Sequence, residues 1–143
     1  MMQKTFIVQT DGPRLYKLTD RIARWVQGNG LVNLFVQHSS ASLLIQENAD
    51  KDVRSDLMAF FDRLVPPATH PSMSYLTHLY EGADDMPAHI KAALFSTFLT
   101  IPLHESQLAL GTWQGIYLYE HRVAPHQSRV IASVLRDQLP APM

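Results

Sequence analysis

The segment HLYEGADDMPAHIK, residues 78–91, concentrates side chains that can bind a metal ion or move a proton. His78 and His89 flank three carboxylates, and a glycine lets the chain turn between them. Imidazole combined with a carboxylate is the donor set that zinc and related ions prefer. A simpler interpretation is that Asp84 or Asp85 caps a helix and the histidines are incidental. The spacing matches no fixed ligand pattern, so it leaves both interpretations open.

Two residues of this segment have the clearest chemical roles. Glu81 lies beside Gly82 in a predicted loop, where no helix or strand depends on it, and we predict that it is a metal ligand or general base. His89 is expected in the first turn of a helix that begins near Pro87. The helix dipole there opposes an imidazolium and favours a neutral, ligating ring. The same helix end can also hold an anion such as a phosphate.

A second polar segment is QHSSASLLIQEN, residues 37–48. His38 stands next to Ser39 and Ser40, so it could be a general base beside a nucleophile. The three side chains could equally be neutral hydrogen-bond donors to phosphate oxygens. The remaining interpretation is a strand end with turn-forming serines.

A third segment is LGTWQGIYLYEHR, residues 110–122, in which two glycines bracket a polar triplet. Glycines at these places let the backbone approach a ligand or another chain closely. Trp113 could stack on an aromatic ligand, or it could belong to the core at a hairpin turn. Glu120 and Arg122 lie at the end of the strand that follows.

Composition sets the class of protein that carries these segments. The chain has 143 residues, 46% of them hydrophobic, a net charge of −1 and no cysteine. Lysine and arginine are scattered and form no basic stripe, which argues against nucleic acid as a partner. The lack of cysteine is compatible with a reducing compartment. We see neither a signal peptide nor a membrane-spanning run. The sequence therefore predicts one soluble, cytoplasmic domain over residues 1–143, with no membrane partner.

The periodicity of apolar residues predicts the elements that position the polar segments. The clearest helix is 50–65, and shorter helices are predicted from 19 or 20 to 28 and from 87 to 95. Asp11-Gly12 predicts a hairpin turn between the first two strands. Strands are predicted at 5–10, 14–18, 31–37, 42–46, 98–103, 107–110, 115–121 and 128–135. This order indicates an α+β fold with mainly antiparallel β-sheets and about three helices.

Together, the segments QHSSASLLIQENAD, YEGADDMPAHIK, LTIPLH and LGTWQGIYLYEHR resemble the YjbQ family of secondary thiamine-phosphate synthase-like proteins. The resemblance spans about residues 4–136. It implies a YjbQ-like α+β fold arranged as a homotrimer around a threefold axis. It also implies a weak thiamine-phosphate synthase, a transferase that joins hydroxymethylpyrimidine diphosphate to a thiazole phosphate and releases pyrophosphate.

The resemblance and the polar segments together give a candidate site that takes a small phosphorylated substrate or anion and a divalent metal, Mg²⁺ or Zn²⁺. We expect three histidines to converge in one polar pocket. The candidate catalytic residues are His38, Glu81, His89 and Glu120. The candidate metal ligands are His38, His78 and His89. The candidate substrate-binding residues are Ser39, Ser40, Asn48, Lys91, Thr112, Trp113, Gln114 and Arg122.

Two other functions remain open beside the transferase. In the first, the three histidines bind zinc and a nearby carboxylate activates water, which would make the protein a metal-dependent hydrolase. In the second, the protein is a non-catalytic trimer that holds a small anion or a metal. A site that binds a diphosphate usually has more cationic side chains than the two near these segments, Lys91 and Arg122. This small number of cations fits a weak transferase activity.

Overall fold

Two antiparallel β-sheets and three α-helices make up the fold in the computed structural model, which describes residues 2–137. The predicted α+β class with about three helices is confirmed. The strands are β1 (Met2–Thr10), β2 (Arg14–Lys17), β3 (Gly30–Val36), β4 (Ala41–Glu47), β5 (Phe98–His104), β6 (Gln107–Leu108), β7 (Gln114–Glu120) and β8 (His126–Arg136). The helices are α1 (Thr19–Trp25), α2 (Lys51–Leu64) and α3 (Asp85–Leu94), with a short 3₁₀ turn at Pro71–Met73.

The larger sheet has the strand order β1-β8-β3-β5-β6 and supplies most of the core. Its strands alternate between two faces, as a half-buried strand does. In β3, Val32, Leu34 and Val36 are buried, whereas Leu31 and Phe35 are 44% and 46% exposed. The outer face of this sheet therefore carries apolar side chains in contact with solvent in the single chain.

The smaller sheet has the order β2-β7-β4, and its central strand β7 is buried on both faces. Ile116 and Leu118 belong to the main core. On the other face, Tyr119 packs at 5.4 Å from the ring of Phe95, which follows α3. Both faces of β7 are therefore covered, one by the larger sheet and the other by the helical side of the molecule.

The predicted hairpin at Asp11-Gly12 is wrong. β1 pairs with β8 in the larger sheet, whereas β2 pairs with β7 in the smaller one. Gly12 has a φ of +90°, so the glycine is needed for a sharp turn, but that turn moves the chain from one sheet to the other. Long-range pairing with the last two strands determines the arrangement, and the local turn signal carries no information about it.

The helix that carries His89 begins at Asp85, two residues before the predicted start at Pro87. His89 is therefore the fifth helical residue and lies in the second turn, so the prediction that placed it in the first turn is wrong. Proline is tolerated in the first helical turn, and here it is the third residue rather than the first. The earlier start places Asp85 and His89 four residues apart on one face of α3.

α1 begins at Thr19, where the prediction places its start, but it ends at Trp25, three residues before the predicted stop at Gly28, and α2 follows the prediction closely. α2 begins after Asp50, whose side chain accepts a hydrogen bond from the backbone N–H of Asp52, and it ends before Pro66. Over residues 2–137, no helix has the length and apolar character that crossing a membrane requires.

Candidate metal centre

Asp85 lies at the centre of a cluster that joins the loop before α3 to the end of β7. Its side chain is 2% exposed. One carboxylate oxygen, Oδ2, lies 2.5 Å from His78 Nε2 and 3.3 Å from His89 Nε2. The other oxygen, Oδ1, accepts a hydrogen bond from Arg122 Nη1. A buried carboxylate with a cation on one oxygen and two imidazoles on the other is an organised polar site rather than a helix cap.

The orientation of His89 shows what its second nitrogen can do. Nδ1 lies 2.9 Å from the backbone carbonyl oxygen of Ser39, which can only accept, so Nδ1 carries the proton. In the neutral ring, Nε2 then has a lone pair directed toward Asp85 Oδ2. Two lone pairs at 3.3 Å repel each other unless a proton or a metal ion lies between them. A backbone carbonyl that fixes the tautomer of a histidine is also the usual second-shell partner of a metal-ligating ring.

The geometry fits a zinc-type ion. His78, Asp85 and His89 each offer one ligand atom, and these three atoms lie within 4.8 Å of one another. Ligands on a tetrahedral zinc ion at about 2.0–2.1 Å are separated by about 3.3 Å. The His89–Asp85 distance of 3.3 Å has this value already, and the His78–Asp85 distance of 2.5 Å would have to open by less than about 1 Å. Two imidazoles and one carboxylate leave the fourth position open, as in catalytic zinc sites.

Glu81 stands at the edge of this cluster, as predicted for a loop residue. Its Oε2 lies 3.6 Å from His78 Nε2, and its side chain is 52% exposed. Its backbone oxygen accepts a hydrogen bond from Arg122 Nη2 at 3.3 Å. The carboxylate is thus held beside the ligand atoms but keeps access to solvent.

Arg122 ties the cluster to the three-stranded sheet. Its Nε donates to Asp84 Oδ2 at 2.9 Å, and the same oxygen accepts the backbone N–H of Val123 at 2.9 Å. Asp84 stands at the N-cap position of α3, yet its side chain makes no capping hydrogen bond. The capping interpretation of the two aspartates is therefore wrong, because both side chains serve Arg122 and the cluster.

These contacts set the charge of the cluster. Burial opposes ionisation of Asp85, but the hydrogen bond with His78 and the charge of Arg122 keep its pKa below the usual value. Burial also opposes ionisation of Asp84, and the Val123 N–H and Arg122 lower its pKa in the same way. Burial disfavours the charge of Arg122, while Asp84 raises its pKa. Both aspartates are therefore anionic at neutral pH.

His38 is not part of the cluster that could hold a metal ion, in which Asp85 stands beside His78 and His89. His38 Nε2 accepts the backbone N–H of Arg129 at 3.1 Å, so its Nδ1 carries the proton in the neutral ring. His38 and Ser39 nevertheless line a groove of about 280 Å³ together with His89. His38 thus faces a space beside the cluster as a hydrogen-bond donor. Ser40 turns its backbone oxygen toward the N–H of His121 at 3.3 Å.

Glu120 is predicted from the sequence to be catalytic, but its surroundings give it a positioning role. It is 1% exposed, and its carboxylate accepts hydrogen bonds from Thr10 Oγ1 at 2.8 Å and from the backbone N–H groups of His121 and Arg122 at 3.0 and 3.3 Å. A carboxylate that is fully buried and occupied by three donors has no access to substrate. It fixes the backbone from which Arg122 reaches the cluster.

Lys91 lies on α3 and pairs with Asp62, whereas four other predicted substrate-binding residues lie at the other end of the smaller sheet. In the β4–β7 pairing, Ala41 stands opposite Glu120 and Glu47 opposite Gln114. These two ends are six residues apart, or about 20 Å. One chain therefore does not bring this group to the metal cluster. Its members are Asn48, Thr112, Trp113 and Gln114.

Within that group, the polar atoms mostly serve the turn itself. Asn48 Nδ2 donates to the backbone oxygen of Thr112 at 3.1 Å, and Gln114 Oε1 accepts the N–H of Gly111 at 2.8 Å. Gly115 is needed for packing, because a Cβ there would lie 2.9 Å from the Tyr117 ring. Trp113 is 64% exposed, so the interpretation that placed it in the core is wrong.

Comparison with known proteins settles the family. A family model described as UPF0047 protein YjbQ-like matches residues 4–137. The chain belongs to the YjbQ family. The UPF0047 protein sll1880 of Synechocystis is 47% identical over 136 residues, which cover 92% of this chain and 90% of that protein. The UPF0047 protein YjbQ of Escherichia coli O157:H7 is 40% identical over 137 residues, with coverage of 92% and 96%.

Solved structures agree with this membership. The conserved hypothetical protein TT1486 of Thermus thermophilus has a TM-score of 0.81 and 29% identity, and the match covers 92% of this chain and 99% of that one. These relatives establish the family and the fold of this YjbQ-family chain. Its activity has to be argued from the site.

Proposed function

We propose that this YjbQ-family protein is a zinc-type metal-dependent hydrolase acting on a small substrate. The observation that carries the proposal is the arrangement of His89, whose Nδ1 is held by a backbone carbonyl while Nε2 faces Asp85 Oδ2. Nitrogen ligands favour zinc and related ions over magnesium, which prefers oxygen ligands and keeps several waters. When bound, such an ion supplies Lewis-acid activation of a substrate oxygen or of water.

Other steps of the proposed hydrolysis are assigned to residues of the chain, which hold the ion, accept a proton and bind the substrate. Asp85 contributes the negative charge that a divalent ion needs, and Arg122 holds that carboxylate in place. Glu81, exposed and 3.6 Å from His78 Nε2, is positioned to accept a proton from the attacking water. The groove beside His89 receives the substrate, and His38 Nδ1–H donates a hydrogen bond to it.

Thiamine-phosphate synthesis is the transferase proposal that the family resemblance suggests. It asks for cations that stabilise a departing diphosphate. Arg122 is already paired with Asp84 and Asp85, and Lys91 lines a different cavity, which His78 and His89 do not line. These arrangements favour the hydrolase over the transferase.

A homotrimer is the assembly we propose, in the reducing cytoplasm that a chain without cysteine tolerates. The outer face of the larger sheet supports self-association, because it presents apolar side chains on adjacent strands. Phe35 stands opposite Phe98, and the two are 46% and 58% exposed. Exposed apolar patches of this kind mark interaction surfaces.

The test uses protein freed of metal by a chelator and then titrated with ZnCl₂ or MgCl₂ in a calorimeter. We expect one tight zinc site per chain, a loss of affinity of about 100-fold in His89→Gln, and no loss in His104→Gln. His104 is a suitable control because it is an exposed histidine 3.8 Å from a carboxylate, that of Glu105, outside the cluster. Equal zinc affinity in the two variants would contradict the proposed site.

Activity is then measured on the zinc-loaded and metal-free proteins with 4-nitrophenyl phosphate, 4-nitrophenyl acetate and a 4-nitroanilide. The coupling of hydroxymethylpyrimidine diphosphate with thiazole phosphate is followed in parallel. Zinc-dependent hydrolysis that is lost in His89→Gln supports the hydrolase. Thiamine-phosphate formation that needs Mg²⁺ and survives in His89→Gln would overturn it in favour of the transferase. Tight zinc binding without turnover of any of these substrates would instead support the interpretation that the protein is a non-catalytic metal-binding protein.

A further inference from the structure

A second cavity, of about 250 Å³, lies between α2, α3 and the end of β7. The ligating residues His78 and His89 do not line it. Its walls include the apolar side chains of Val65, Pro87 and Val123, the Asp84 carboxylate, which is paired with Arg122, and three further groups that can bind a polar ligand. These groups are the Lys91 ammonium, the His121 ring and the Asp62 carboxylate.

His121 is the group in this wall that lacks a partner. It is 3% exposed, and its Nε2 lies 3.0 Å from Ser42 Oγ. Its Nδ1 is the one buried side-chain nitrogen or oxygen without a hydrogen-bond partner among residues 2–137. Buried polar atoms in folded proteins are nearly always satisfied, so an unpartnered nitrogen on a residue that lines a cavity indicates a ligand or a functional role.

The charge state of this ring limits what can bind there. Burial, together with the nearby charge of Lys91, lowers the pKa of His121 to about 3. The ring is therefore neutral at physiological pH. Since the Ser42 hydroxyl can donate to Nε2, Nδ1 can carry the ring proton and donate it to an acceptor in the cavity.

Lys91 gives the cavity a fixed cation with an exchangeable partner. Its side chain is 9% exposed, so it is largely shielded from water. Its partner is Asp62, 2.6 Å away, whose side chain is 63% exposed on α2. The Asp62 carboxylate can move into solvent at little cost, and an incoming anion can then take its place on Lys91.

We propose that this cavity binds a small heteroaromatic carboxylate. Its carboxylate would pair with Lys91, its ring would lie against Val65 and Pro87, and a ring acceptor would accept the hydrogen bond from His121 Nδ1–H. The volume suffices, because an apolar cavity of about 150 Å³ is enough to hold a benzene ring. The site uses none of the three candidate ligands His78, Asp85 and His89, although it shares Asp84 with their cluster and is lined by residues of the helix that carries Asp85 and His89.

Three probes separate the two polar contacts. Nicotinate has both a carboxylate and a ring acceptor, benzoate lacks the ring acceptor, and nicotinamide lacks the negative charge. The full chain is titrated in a calorimeter with a chelator present, so that no metal can bind the probe. We expect nicotinate to bind, and both benzoate and nicotinamide to bind about tenfold more weakly or worse.

Variants assign the contacts to residues. Lys91→Met keeps the length of the side chain and should lose the preference for nicotinate over nicotinamide. His121→Phe keeps the ring packing and should lose the preference for nicotinate over benzoate. Asp62→Asn removes the competing anion, so nicotinate should bind more tightly, a direction that a purely structural role of the Lys91–Asp62 pair would not give.

Two results would overturn the proposal. One is the failure of nicotinate to bind the wild-type protein at concentrations up to about 10 mM, which corresponds to less than about 3 kcal/mol of binding free energy. The other is nicotinate affinity that is unchanged in His121→Phe and Asp62→Asn. These two substitutions keep the test decisive even if Lys91→Met does not fold, since one preserves an aromatic ring and the other changes an exposed side chain.

Discussion

Replacing His121 by phenylalanine should remove much of the acid sensitivity of the fold. Burial, followed by the charge of Lys91, lowers the pKa of His121 from 6.5 to about 3. Other charged or titratable groups near His121 are Asp62 and Asp84, which line the same cavity, and Glu120, which accepts the His121 backbone N–H. The ring centroid of Tyr119 lies 4.3 Å from that of His121. Between pH 3 and 6.5 the unfolded chain binds a proton at this residue and the folded chain does not. Stability from this group is therefore complete above about pH 6.5 and is lost as the pH falls toward 3.

The magnitude follows from the two pKa values. Lowering the pH from about 7.5 to about 5.0 protonates the ring almost only in the unfolded chain, which costs about 2 kcal/mol of unfolding free energy. In His121→Phe this contribution is absent, while the aromatic packing against Tyr119 and Phe95 is kept. The loss of unfolding free energy between these pH values should thus be about 2 kcal/mol smaller in the variant than in the wild type.

The assay is urea unfolding of both proteins at about pH 7.5 and about pH 5.0 at one protein concentration, because self-association would shift the apparent stability. The difference between the two proteins isolates His121 from the other histidines, which titrate in both. A pH dependence that agrees within about 0.5 kcal/mol between wild type and variant would refute the reasoning, since it would mean that the folded ring titrates normally.

Three further predictions concern other parts of the molecule. Glu81→Gln should leave the stability measured by thermal melting within about 0.5 kcal/mol of the wild type. It should reduce zinc-dependent turnover by two or more orders of magnitude, which corresponds to an activation free energy higher by on the order of 3 kcal/mol, and normal turnover would exclude a role of Glu81 as the base. Phe35→Glu should convert the proposed trimer to monomers in light scattering, whereas Phe60→Glu, which alters a more exposed aromatic ring on α2, should not. Trimers in both variants would place the interface elsewhere. Glu120→Gln should lower the free energy of unfolding in urea by about 2 kcal/mol, while the zinc affinity stays within about threefold of the wild-type value. A large loss of zinc affinity without a loss of stability would instead argue that Glu120 takes part in metal binding directly.

The elements of the fold follow from the sequence to the extent that local patterns decide them. The α2 helix is predicted within one residue at each end, because a capping aspartate and a proline pair bracket a clear apolar period. Pairing is not predictable in the same way. Asp11-Gly12 has the composition of a hairpin turn, yet the strands on either side find partners in different sheets, more than 100 residues away along the chain. Such partners are fixed by the packing of the whole domain.

The candidate site is predictable in part, for a related reason. The polar segment 78–91 does bring His78, Asp85 and His89 together, with Glu81 beside them, and the metal-binding and catalytic roles suggested by residue type remain predictions. Asp85 was missed as a ligand because an aspartate before a helix is ordinarily a cap. Its spacing of four residues from His89 was the signal that could have identified it.

His121 was missed for a different reason. The sequence does not indicate whether a histidine at the end of a strand is buried. The burial of its unpartnered nitrogen follows only from the tertiary packing of Lys91 and the two helices around the ring. The separation of Trp113 from the cluster also depends on strand register, which the sequence does not state.

The most direct test of the metal centre is anomalous diffraction at the zinc edge from a crystal grown with one equivalent of zinc. The account predicts one strong anomalous peak per chain, within about 2.0–2.2 Å of His78 Nε2, Asp85 Oδ2 and His89 Nε2, with the fourth position directed toward Glu81 and the groove beside His38. A peak bound by His38 but not by Asp85, or bound by surface histidines such as His104 with none at Asp85, would contradict it.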